Sequence, residues 1–177
     1  MLLQIDGSPH AWLALVPEAR ATLIAVVDDA TTRLLYAQLV EAESTHTVMT
    51  ALREVFTTYG LPMAFYTDRA SWAFYTPKAA GPVDKTRVTQ VGRALARLGI
   101  EHIPAYSPQA RGRSERLNRT VQDRLVNELR VAEITTLAAA AGMVIGDDYN
   151  VERGLTMVPY LFMDDDNIIT EIRNMAA

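Results

Sequence analysis

The 177-residue chain contains no cysteine. Disulfides and thiolate metal sites are therefore excluded. It has only three histidines, His10, His46 and His102, and they share no metal-ligand spacing. No apolar run reaches the roughly 18 residues of a membrane span, so no membrane partner is expected. The N-terminal MLLQIDGS has neither a basic leader nor an apolar h-region, which excludes a secretory signal. A reducing, cytoplasmic compartment fits these absences. No glycine-rich phosphate loop follows any strand-like run. Nor is positive charge in excess: the net charge is −4, which argues against a basic protein that coats DNA.

What is present is an ordinary globular composition, 49% hydrophobic and 21% charged, long enough to bury a core as one domain. The charge is unevenly spread. Residues 87–130 hold nine Arg and four acids, while the remainder holds eight basic and seventeen acidic residues. A chain polarised in this way can turn a basic face to phosphates while staying acidic overall. A solvated helix surface would give the same count.

Residues 2–6 read as a short strand ending on an acid. Runs 21–28 and 32–40 read as an antiparallel hairpin around the polar turn DDATT. Val48, Leu52, Val55 and Tyr59 recur at helical spacing, with Ser44 as N-cap and Gly60 then Pro62 as a stop, so 45–59 is predicted helical. Residues 62–67 form a strand that again meets an acid, Asp68. The Pro- and Gly-containing stretch 71–86 reads as a loop. A helix over 87–98, a strand over 100–106, a loop over 107–114 and helices over 114–130 and 133–146 complete the order. A hairpin followed by βα units predicts a mixed α/β sheet with helices on its faces.

Asp6 and Asp68 fall at predicted strand ends, where α/β sheets often place catalytic groups. Glu115 lies in the first turn of the long helix. The apolar stripe of that helix is Leu117, Val121, Leu125 and Leu129, so Glu115 points away from the core, with Asn118, Arg119 and Gln122 on its side. Three carboxylates of this kind suit hard divalent cations, which can hold the attacking and leaving oxygens of a phosphodiester. Each acid alone also fits a plain turn or helix-dipole role. Arg111, Arg113, Arg116 and Arg119 cluster beside Glu115 and favour phosphate binding. Asp28 and Asp29 read as hairpin-turn residues, and Asp164–Asp166 as a solvated acidic run. Trp72 and Tyr75 are open to two readings, stacking on a base or DNA end and packing into core or loop.

The stretches QIDGSPHAW, AVVDDATTR, GLPMAFYTDRA and SPQARGRSERLNRTVQDRL resemble the catalytic core of bacterial insertion-sequence DDE transposases, in the superfamily that includes retroviral integrases. The most specific match is Ser107, Pro108, Gly112 and Glu115. The resemblance covers roughly residues 2–150. Two departures stand out: the interval from Asp68 to Glu115 is lengthened within 71–86, and Gln122 stands where many relatives carry Lys or Arg.

The resemblance implies an RNase H-like α/β fold, with a five-stranded mixed sheet and helices on both faces. It also implies that Asp6, Asp68 and Glu115 are the catalytic, metal-binding acids, holding Mg²⁺ or Mn²⁺, two ions in all. Arg111, Arg113, Arg116, Asn118, Arg119 and Gln122 are the expected DNA contacts. The implied activity is metal-dependent cleavage and strand transfer on transposon ends and target DNA, carried out at the nucleoid by a homodimer or larger assembly. Residues 1–150 are the expected catalytic core and 151–177 a tail that matches no pattern. Such transposases carry an N-terminal helix-turn-helix, which this sequence lacks, so a truncated or excised core is expected. Two alternatives are kept: a non-catalytic remnant that only binds DNA or a partner, and another RNase H-like nuclease.

Overall fold

In a computed structural model, the chain is described over residues 1–78, 81–106 and 112–141, with only the backbone given at 112–114 and 141. Five strands form one sheet: β1 (Leu2–His10), β2 (Ala21–Asp28), β3 (Leu34–Val40), β4 (Ala64–Thr67) and β5 (Glu101–Pro104), in the order β3-β2-β1-β4-β5. β1 to β3 run antiparallel, whereas β4 and β5 are parallel to β1 and to each other. The mixed sheet is as predicted. Four helices join it: α1 (Thr45–Tyr59), α2 (Gln90–Arg97), α3 (Gly112–Val131) and α4 (Leu137–Ala141).

The helices divide between two cores. α1 buries Val48, Ala51, Leu52 and Val55, and α2 buries Val91 and Leu95, against Leu3, Ile5, Ile24, Val26 and Phe65. On the opposite face α3 buries Leu117, Val121, Leu125 and Leu129 against Leu23, Ala25, Val27 and Leu39. β2 lies between the two cores, which accounts for its unbroken apolar run where a half-exposed strand would alternate.

Local chemistry fixes the ends. Ser44 caps α1: its Oγ accepts from Thr47 N at 3.2 Å, while its own backbone N–H donates to Thr47 Oγ1 at 2.9 Å. Gly60 ends the helix at φ +82°, a left-handed value that costs other residues strain. In the β2–β3 turn Asp28 accepts from Thr31 Oγ1 at 2.6 Å, as a turn aspartate should. Asp29 accepts from Gln4 Nε2 at 2.6 Å and ties the turn to β1.

Most boundaries move by one or two residues from the sequence reading, and three move further. β1 continues four residues past Asp6, to His10, because Gly7–His10 keep pairing with Ala21–Ile24. α2 begins at Gln90, since the Thr89 side chain caps it by accepting from Gly92 N, and Val88 is left exposed. The last helix begins at Leu137 and not at 133, because the chain turns after α3 with Glu133 at φ +57°; residues 142–146 of its predicted span, and the tail 151–177, lie outside the described residues.

Candidate active site

β1 alternates strictly in chemistry. Leu3 and Ile5 enter the α1/α2 core, while Gln4, Asp6 and Ser8 point to the α3 face. All three polar side chains are buried, Asp6 being only 6% exposed. A buried carboxylate needs partners. α3 supplies one: Asn118 Nδ2 donates to Asp6 Oδ2 at 2.9 Å. One turn on, Gln122 Nε2 donates to Ser8 Oγ at 2.8 Å. A polar seam from sheet to helix thus runs beside the apolar packing of α3.

Asp68 joins the same face through register. Leu2, Leu3 and Gln4 pair with Ala64, Phe65 and Tyr66; continued by two residues, this offset would bring Asp6 level with Asp68, one residue past the end of β4. Residues level on paired strands point to the same side, and neighbouring strands lie about 4.8 Å apart. Phe65 and Thr67 take the opposite side, with Phe65 in the α1/α2 core. Asp68 is half-buried, and its Oδ1 accepts from Ala70 N at 2.9 Å, which shapes the turn after β4. Thr67 braces this turn. Its hydroxyl donates to Asp68 O at 2.9 Å, so it accepts from Nε2 of His102, 3.0 Å away. His102 is half-buried and stacked on Phe74, and desolvation pushes its imidazole down to about 4.

Glu115 shares the α3 face of Asn118 and Gln122, three and seven residues on. It continues the seam one turn toward the helix N-terminus, and it is exposed. Among the described residues no three His, Cys, Asp or Glu side chains come close enough together to hold a metal ion. Asp6 and Asp68 thus stand on adjacent strands of the sheet, and Glu115 is exposed on α3. Arg116 and Arg119 are exposed on the same helix. Arg111 and the Arg113 side chain lie outside the described residues. Asn118 is buried at 9% exposure, so it orients Asp6 where the sequence reading had it facing DNA.

The donors around Asp6 fit a hard divalent cation. They are all oxygen, and two amide oxygens in the seam, Asn118 Oδ1 and Gln4 Oε1, are buried without a hydrogen-bond partner. Gln4 and Ser8 were missed by the sequence reading, although the period-two pattern Gln4-Asp6-Ser8 in LLQIDGSPH carries the signal.

Two sequence relatives of the chain are transposases. The chain is 43% identical over 136 residues to y4bF of Sinorhizobium fredii, a protein named as a transposase by inference; the match covers 75% of the chain. It is 35% identical over 139 residues, 78% of the chain, to the transposase of insertion sequence IS1202 from Streptococcus pneumoniae. By sequence the chain belongs with these two transposases. It spans only 28% and 29% of the length of these two relatives.

The transposase-type fold is RNase H-like. It matches the HTLV-2 integrase catalytic core domain solved in complex with magnesium at TM-score 0.55 and 16% identity, covering 79% of this chain and 78% of that one. The simian T-cell lymphotropic virus intasome gives TM-score 0.57 at 16% identity, covering 93% of this chain and 58% of that one. No model of a known protein family matches the chain. No helix among the described residues is long and apolar enough to cross a membrane.

Proposed function

We propose that this transposase core cuts and joins DNA strands at the seam between β1, β4 and α3, with Asp6, Asp68 and Glu115 as divalent-metal ligands. The observation that carries the reading is the buried Asp6, held by Asn118 of α3 on the strand beside the one that leads to Asp68. The magnesium in the HTLV-2 integrase core supports a divalent cation here. Bound at these acids, Mg²⁺ or Mn²⁺, in one or two ions, would stabilise the charge on the attacking and leaving oxygens.

The chain's own residues provide position and charge. Asn118 fixes one Asp6 oxygen and so sets the direction of the other. Gln122, through Ser8, locks α3 to β1 and keeps Asn118 in reach. Arg116 and Arg119 face solvent on the first turns of α3 and can engage the DNA backbone beside the scissile phosphate. Arg111 and Arg113 belong to the same basic cluster. In the first reaction water adds to phosphorus, and the 3′ oxygen leaves with a proton as a 3′-OH. In the second, that 3′-OH attacks a target phosphodiester and releases its 3′ oxygen. The two reactions are alike in chemistry, so one site serves both. A dimer or larger assembly would bring two transposon ends together.

A second reading, a domain that binds DNA without cutting it, is favoured by the exposed position of Glu115. Nicking and disintegration of branched DNA in Mg²⁺ or Mn²⁺ separates the two. Metal-dependent activity lost in Asp6→Asn, Asp68→Asn and Glu115→Gln is the expected result. A variant of full activity would remove its residue from the mechanism, and a folded but inert wild type would favour the second reading.

A further inference from the structure

The segment between Asp68 and α2 carries side chains that the proposed reaction does not use. Residues 69–87 hold four cations, Arg69, Lys78, Lys85 and Arg87, against one acid, Asp84. This reverses the sign of the chain as a whole. The acid is engaged locally: Asp84 Oδ1 accepts from Thr86 N at 2.8 Å and Thr86 Oγ1 at 2.6 Å, and these bonds hold its carboxyl below the usual range.

Two of the cations lie over tyrosine rings. The Arg87 guanidinium is 3.7 Å from the Tyr75 ring centroid, and the Arg69 guanidinium is 5.1 Å from that of Tyr106. Tyr75, Tyr106 and Arg87 are exposed. Trp72 by contrast is buried in the α1/α2 core, which decides its role as packing. The backbone of the segment folds back toward Asp68. Arg69 Nη1 donates to Gly81 O at 2.7 Å, and Asp84 N donates to Tyr75 O at 2.8 Å. Arg69 is the residue after Asp68, and its bond to Gly81 ties the segment that carries Tyr75 and Arg87 back to the end of β4.

We infer that Tyr75 and Arg87, with Arg69 and Tyr106, form a stacking platform for unpaired nucleotides of the DNA strand that runs past Asp6 and Asp68. This rests on the transposase reading above. The faces of exposed rings add little to binding a duplex, whose bases are stacked on one another and offer no free face. Unpaired bases offer free faces, and each base that stacks on an aromatic or guanidinium plane is sequence-tolerant. A platform of planes and positive charge is matched to strands that are open near the cut.

The test compares wild type, Tyr75→Leu, Arg87→Gln and Arg87→Lys in the full chain. Binding of labelled short oligo-dT and of a blunt duplex is read by fluorescence anisotropy at one low salt concentration, with thermal melts confirming the fold. Tyr75→Leu and Arg87→Gln should weaken oligo-dT binding about 5- to 100-fold and the duplex less than about threefold. Arg87→Lys keeps the charge but loses the plane, so it should remain weakened on oligo-dT. Unchanged oligo-dT binding, equal loss on both probes, or full rescue by lysine would each overturn the platform. A wild type that nicks DNA while the variants bind oligo-dT normally would overturn the platform alone. A folded wild type that binds neither probe and does not nick would overturn both readings.

Discussion

Asn118 donates its amide to Asp6 across 112 residues of chain, at 2.9 Å and in a buried setting. A carboxylate only accepts, so the amide nitrogen must face it, which leaves the Asn118 oxygen on the other side, buried and without a partner. This contact joins β1, which carries Asp6, to α3, which carries Glu115.

Asn118→Ala should therefore destabilise the fold and slow the reaction together. Loss of a hydrogen bond to a buried carboxylate costs about 1–3 kcal/mol. Urea unfolding should report that loss. Asn118→Asp should be worse, because it sets a second carboxylate against Asp6. An Asn118→Ala protein of wild-type stability would show that the bond is not maintained in solution.

Leu129 is 1% exposed at the far end of the α3 stripe and away from the seam. Leu129→Ala should cost about 2–5 kcal/mol, the range for a large-to-small change in a packed core. A shift of the denaturation midpoint well under that range would mean α3 docks less firmly than its buried stripe implies.

His102 makes stability depend on pH. Its folded value, about 4, lies below the ordinary 6.5, so between these values the unfolded chain binds the proton and the native state does not. The contribution is intact above pH 6.5 and is lost as pH falls from 6.5 to about 4. The wild-type unfolding midpoint should drop more steeply over this window than that of His102→Gln. Parallel curves would show that the imidazole titrates normally.

Arg119 is exposed on α3 near the seam. If it meets a phosphate, Arg119→Ala should lower the slope of log binding constant against log salt by about 0.9 on duplex DNA, uniformly across sequences. An unchanged slope would place Arg119 off the DNA path.

Much of the fold is legible from local signals. α1 matches its predicted span because Ser44, the apolar stripe and Gly60 are all nearest-neighbour chemistry. β2 and the Asp28 turn are legible for the same reason. The inner stripe of α3, Leu117 to Leu129, follows from helical period alone. The end of β1 is not legible, because continuation past Asp6 depends on pairing with Gly7–His10's partners across the hairpin.

The sequence by itself determined the elements, the cores they bury and which acids stand near strand ends and helix starts. Only the tertiary structure decided that β1 and β4 are parallel neighbours, which sets Asp6 and Asp68 on adjacent strands, because parallel register is set by packing between distant segments and not by periodicity within either. It also decided the role of Asn118, which lies about 100° around the helix from Leu117. A residue on the flank of an apolar stripe faces water or protein according to what the helix packs against, and here the polar side of β1 lies beneath it.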